Sequence, residues 1–285
     1  MVGVTGYRLQ AEINRQGELG KSIARAQSDI STGRRLQSAS DDPAAWARVA
    51  LIRRTLANQE AWLSNANTAS SVADQVSSVL DGLSNSLIRA GDLMIQANNA
   101  SSTPTDRQSI ADELLGIADD IDAAAGTVDS RGLPLFPDDE PLPIPISRVL
   151  QVTSTDSKAN VFQNVETPTG TVPLSQILRD AATAITQADD ATRRTDSATA
   201  NDAVRSGITH ISALLGQHGV RAARIDTVRE QITKNELVLD EERGSLEGTD
   251  VARTVAQLQA DLLSLQAAQA AFAKINSTSL FDLIR

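Results

Sequence analysis

Residues 251–285 read VARTVAQLQADLLSLQAAQAAFAKINSTSLFDLIR, and the spacing of their apolar side chains decides the fold class. Val251, Val255, Leu258, Leu262, Leu265, Gln269 and Phe272 follow one another at alternating steps of four and three, and Ile275 comes three later. That rhythm lays them along one stripe of an α-helix. Leu280, Phe281, Leu283 and Ile284 then keep the stretch apolar where a chain is usually polar. Each buried Leu, Ile or Phe contributes roughly 1.5–3 kcal/mol, so such a helix is built to pack against something else.

The other end carries a matching stripe: Leu9, Ile13, Gln16, Gly20, Ile23, Gln27 and Ile30. Two amphipathic terminal helices predict an antiparallel pair. The glutamines and Gly20 dilute its seam, so many packed copies would stabilise it better than one copy alone.

Working inward, the first helix is expected from residue 4 to about 33, with Gly33 ending it. Asp41-Asp42-Pro43 then announces a second helix, Asp as its N-cap and Pro at the first helical position. Its stripe runs Val49, Ile52, Leu56, Gln59, Leu63, Ala66, Ser70, Ala73, Val76, Leu80, Leu83, Leu87, Ala90, Met94 and Ala97, with one three-residue slip after Ala73. At 1.5 Å per residue this is a rod of about 74 Å, a length that belongs to coiled coils and bundles. Thr105, Asp106 or a neighbouring residue is expected to cap a third helix with Ile110, Leu114, Ile117 and Ile121 inward. Residues 132–173 hold seven of the nine prolines, and Ile146–Val152 and Lys158–Val165 read as short strands. Helix resumes near Leu174, with a break expected near Thr195. A long helix from Asp196 then carries Ile208, Ile211, Leu215, His218, Ala222, Ile225, Val228 and Ile232. Gly244 and Gly248 are expected to interrupt it before Thr249 or Asp250 caps the last helix.

Composition agrees. Two Trp, one Tyr and four Phe in 285 residues are too few for a thick globular core, since aromatic side chains dominate most of those. The net charge of −10 argues against nucleic acid, whose phosphates need a basic face. Without cysteine there are no disulfides or thiolate metal sites. The start lacks the apolar core of a secretory signal, and no apolar run is long enough to insert in a membrane.

Catalytic patterns are missing: there is no phosphate-binding glycine loop, no paired His at metal spacing and no Gly-x-Ser-x-Gly elbow. His210 and His218 read as packing or surface residues. Asp119, Asp120 and Asp122 read as a solvated helix face, and Asp138-Asp139-Glu140 as a loop without calcium-ligand spacing. Trp46 and Trp62 could anchor a partner or cover a seam. No catalytic, cofactor or metal site is expected, and the chain is not expected to be an enzyme.

Three segments together resemble the flagellin superfamily. Residues 30–52, Ile-Ser-Thr-Gly-Arg-Arg-Leu-Gln-Ser-Ala-Ser-Asp-Asp-Pro-Ala-Ala-Trp-Ala-Arg-Val-Ala-Leu-Ile, are similar to its joint between first and second helices. Residues 87–101 are similar to the stretch that ends its long helix, and residues 246–272 to its C-terminal helix. Asp41-Asp42-Pro43 and Ser279-Leu280-Phe281-Asp282-Leu283 are most similar to the hook–filament junction branch.

The resemblance implies a mainly α protein, an elongated antiparallel helical bundle or coiled coil of long N- and C-terminal helices with a small β-containing insert. Residues 1–40 and 243–285 would form the inner assembly domain, 41–131 and 174–242 the outer helices, and 132–173 a surface insert. It implies a secreted structural subunit of the bacterial flagellum that joins hook to filament by self-assembly. Partners would be copies of itself, the hook-side junction protein (hook-associated protein 1), filament flagellin and, before export, a chaperone. The terminal helices would order only on addition to the polymer. Ile13, Ile23, Ile30, Leu258, Leu262, Leu265, Phe272 and Leu280 are the expected assembly contacts. Leu56, Leu63, Leu80 and Leu87 would hold the outer helices, and Gly33, Asp41, Asp42, Pro43, Gly244 and Gly248 would form the hinges. Two alternatives remain: a filament flagellin with a minimal surface domain, and a coiled-coil signalling or adaptor protein.

Overall fold

A computed structural model describes residues 2–281, and side chains from Gln10 to Lys274. Among the described residues six helices carry the fold: α1 (Val2–Thr32), α2 (Pro43–Ala97), α3 (Pro104–Ala125), α4 (Leu174–Ile185), α5 (Asp190–Glu247) and α6 (Val251–Phe281). Two antiparallel hairpins lie between α3 and α4: β1 (Ile144–Pro145) with β2 (Gln151–Val152), and β3 (Val165–Thr167) with β4 (Gly170–Val172). The chain divides into two compact units, Met1–Ala57 with Glu236–Arg285, and Asn58–Asn235.

The helix ends follow local chemistry. Gly33, at φ +68°, takes the left-handed conformation that stops α1. Asp42 starts α2 by accepting the Ala45 amide at 3.0 Å, with Pro43 at the first helical position. The third helix is capped beside Thr105 and Asp106. Thr103 is the N-cap, Pro104 follows, and Asp106 closes a capping box by accepting the Thr103 amide at 2.9 Å. Replacing Thr103 by Ala is expected to cost about 1 kcal/mol, measured by denaturant unfolding; an unchanged midpoint would show the box contributes nothing.

In the unit of residues 58–235 the α2 stripe is buried as its periodicity predicts, with Leu80, Leu83, Leu87, Ala90, Met94 and Ala97 all in the core. Leu114 and Ile121 of α3, Ile177 and Leu178 of α4, and Val204 and Ile211 of α5 complete that core. Gly207 permits the close approach of α4 and α5: a Cβ there would lie 3.1 Å from Leu174 Cδ1. A second cluster joins Ala66, Ala69 and Ala73 of α2 to Ile225 of α5 and to Ile146 and Val152 beside the first hairpin.

The segment 132–173 belongs to the unit of residues 58–235, and Phe136 and Phe162 meet edge-to-face at 5.1 Å within the main core. Two of its runs differ from expectation. The run Ile146–Val152 does not form one strand. Ser147 Oγ accepts the amides of Val149 and Leu150, and that turn folds the run into the β1–β2 hairpin. Lys158–Val165 contains a π-helical turn, Ala159–Gln163, in which the Asn164 amide reaches Ala159 O at 2.9 Å. Its buried side chains, Val161, Phe162 and Val165, have helical spacing rather than alternation.

Two boundaries also move. The break before α5 falls at residues 186–189 rather than near Thr195, because Asp189 caps the helix by accepting the Thr192 amide at 2.8 Å. Gly244 lies inside α5, so only Gly248 marks the C-terminal interruption. A glycine within a helix lowers its stability but keeps both its backbone hydrogen-bonding groups.

Candidate assembly interface and its joints

The terminal helices pair within one chain. Ser22 Oγ donates to Asp261 Oδ2 at 2.7 Å, and Arg34 forms a β-bridge with Gly248, so α1 and α6 run antiparallel. The seam uses one flank of each stripe. On α1 it holds Gln16, Leu19, Ile23, Ala26 and Ile30, with Leu19 and Ala26 standing where Gly20 and Gln27 were expected. On α6 it holds Thr254, Val255, Leu258, Asp261, Leu265, Ala268 and Phe272. The larger apolar area of Leu19 over Gly20 explains the rotation of α1.

The other flank stays open. Ile13 is 48% exposed, Val251 49%, Leu262 39% and Leu263 68%. Expected contact residues thus fall in two groups. Ile23, Ile30, Leu258, Leu265 and Phe272 meet the intramolecular partner, whereas Ile13 and Leu262 face outward. The side chain of Leu280 lies outside the described residues.

Sequence periodicity missed Asp261. It is buried in the seam, held by Ser22 and by Gln257 Nε2 at 2.8 Å. Gln257 lies on α6 itself, so the Ser22 hydroxyl is the donor that ties this buried carboxylate to α1. The signal was a polar residue between Leu258 and Leu262, hidden by the stronger leucine pattern.

At the foot of this pair the two joints meet each other. The amides of Arg35 and Leu36 donate to Glu247 O at 2.8 and 3.3 Å, and the Thr249 amide donates to Gly33 O at 3.1 Å. Leu36, Ala45 and Val49 form a small core against Trp46 and Leu246, so Trp46 covers a seam. The Glu247 carboxylate is buried, ion-paired to Arg53 of α2 and 4.0 Å from Arg34. Arg48 forms a two-pronged pair with Glu242, at 2.6 and 2.8 Å, and its guanidinium draws the Glu242 carboxyl below the ordinary range. Asp41 does not cap α2 but knits its own loop. Arg25 and the amides of Ser38 and Gln37 surround its carboxyl and hold it far below the ordinary carboxylate range.

Among the expected outer contacts, Leu80 and Leu87 are fully buried, while Leu56 and Leu63 are half-buried. Leu63 lines an open groove with Glu60, Asn67 and Arg131. His218 is buried, and its Nε2 lies 2.8 Å from Ala73 O; a carbonyl only accepts, so Nε2 carries the proton and the residue packs α5 on α2. His210 binds Asn160 O in the same way at 2.9 Å. Asp119 and Asp122 share Arg179 of α4, each at 2.8 Å, in two structural ion pairs that join α3 to α4. Among the described residues no cluster of three or more His, Asp or Glu could hold a metal, and no helix is long and apolar enough to cross a membrane.

Two family models account for both ends of this arrangement. The bacterial flagellin N-terminal helical region matches residues 10–139, and the bacterial flagellin C-terminal helical region matches residues 201–284. The chain belongs to the flagellin superfamily. Members of that family are structural proteins of the flagellum rather than enzymes. None of the curated proteins matches this flagellin-superfamily chain in sequence. Its fold is similar to a Vibrio parahaemolyticus protein provisionally named flagellar hook-associated, with 17% identity over 73% of this chain and 100% of that one, at a TM-score of 0.65. FlgL from Xanthomonas campestris matches at 14% identity, covering 68% and 99%, with a TM-score of 0.62. Hook-associated protein 3 from Legionella pneumophila matches at 14% identity, covering 70% and 98%, also at 0.62. At such identities the likeness is one of fold.

Proposed function

We propose that this flagellin-superfamily protein is a subunit of the hook–filament junction, of the hook-associated protein 3 type. It polymerises with its own copies through the terminal helix pair, and contacts the hook-side junction protein on one side and filament flagellin on the other. The exposed flank of that pair carries the reading. Ile13, Val251, Leu262 and Leu263 leave apolar area in water that copies packed side by side would bury. Head-to-tail repetition of one such contact yields an open helical assembly. A chaperone covering this flank before export fits the same surface. The hinge role expected of the two joints is restricted to Gly33–Asp42 and Gly248.

Charge supports the same division of labour. The unit holding the terminal helices has 13 acidic and 13 basic residues, while the unit of residues 58–235 has 23 acidic and 13 basic. Copies therefore meet without net repulsion at the terminal pair, and the acidic unit keeps the free subunit soluble.

Electron microscopy of cells deleted for this chain is the test. Hooks that shed their filaments are expected, with flagellin released into the medium. Filaments attached normally would refute the junction role. Labelled protein spread along whole filaments would instead favour the filament-flagellin alternative.

A further inference from the structure

The two joints are over 200 residues apart in sequence, yet they meet at one residue, Glu247. Glu247 touches two other parts of the chain at once, α2 and the joint after α1. Its carboxylate pairs with Arg53 of α2 and lies 4.0 Å from Arg34, and its carbonyl takes the Arg35 and Leu36 amides. Directly beyond it, Gly248 turns so tightly that a Cβ would lie 2.5 Å from Gly244 O, and the Thr249 amide crosses to Gly33 O. α1 stops and α6 starts within two residues of the Thr249–Gly33 bond. The Arg35 side chain adds a bond to Leu246 O at 3.2 Å, and Arg25 of α1 donates to Arg35 O.

We propose that Glu247 is the keystone of a clasp that makes the N-terminal and C-terminal joints order as one event. A subunit then offers α1 and α6 together and in register, or neither. The reason is the buried charge: a carboxylate taken out of water holds its place only while its guanidinium partners are present, and the backbone bonds of both joints depend on that place. Arg53 reaches neither terminal helix, yet it belongs to the clasp through Glu247 alone. The hinge is therefore a shared device rather than two independent flexible loops.

Amide hydrogen exchange on the purified full-length chain tests this, using Glu247→Gln, Arg53→Gln and the double variant, with Glu242→Gln as control. Exchange at Arg35, Leu36 and Thr249 is expected to quicken together, on the order of tenfold or more, in each single variant. The double variant should be no faster than either single one, because both remove the same pair. Glu242→Gln should leave those three amides unchanged. Amides of Leu83 and Leu87 in α2 report whether the rest of the molecule stays folded. The proposal is overturned if only Thr249 responds, if Arg53→Gln has no effect, or if the wild-type amides are already unprotected. Self-assembly of the wild-type chain is a separate readout. Its failure would count against the junction reading and leave the exchange result to decide the clasp.

Discussion

Glutamate at both Leu262 and Leu263 is expected to abolish polymer formation by the purified chain while leaving its helix content unchanged. These leucines are 39% and 68% exposed on α6, so the single subunit tolerates the change. In a polymer each would be buried. Between them they leave about one leucine's worth of surface to bury, so their loss removes roughly 1.5–3 kcal/mol per contact, and burying an unpaired carboxylate adds several more. A loss of even 4 kcal/mol raises the critical concentration about a thousandfold. Sedimentation of polymer across a concentration series measures it. Val149→Glu, at the turn of the first hairpin and 92% exposed, is the matched control and should polymerise normally. Normal polymerisation of the leucine variant would remove the α6 flank from the interface.

Leu87→Ala should destabilise the unit of residues 58–235 by about 2–5 kcal/mol, because the side chain is fully buried and its removal leaves a cavity. For a unit of this size that corresponds to a thermal midpoint lower by about 10 °C. Leu63→Ala should shift it far less. The two leucines hold equivalent places in the α2 periodicity, but Leu63 lines an open groove where solvent and neighbours can fill the space. Calorimetry separates them. Equal shifts would mean that position in the stripe, rather than local packing, governs the stability of α2.

That contrast marks how far the sequence is legible. Every position of the α2 stripe from Val49 to Ala97 faces inward or is half-buried, since a 3.6-residue period is a property of the local backbone. Helix ends at Gly33, Asp42-Pro43 and Asp250 were readable for the same reason, a cap being a contact between residues three or four apart. The insert is less legible. Two β-branched runs have the composition of strands, but a turn at Ser147 breaks one and a π-helical turn that buries Val161 and Phe162 coils the other. The β3–β4 hairpin, around Thr167-Pro168-Thr169-Gly170, carried a turn signal that the proline count obscured.

The sequence by itself determined that this is a helical protein of the flagellin superfamily, with apolar stripes at both ends and a joint beside each. Only the tertiary structure decided which flank of each stripe faces the other helix and which faces outward, that Asp261 bonds Ser22 across the seam, and that Glu247 binds the two joints together. Those features depend on residues hundreds of positions apart. Their energies come from burial and charge pairing in space, which no local period encodes.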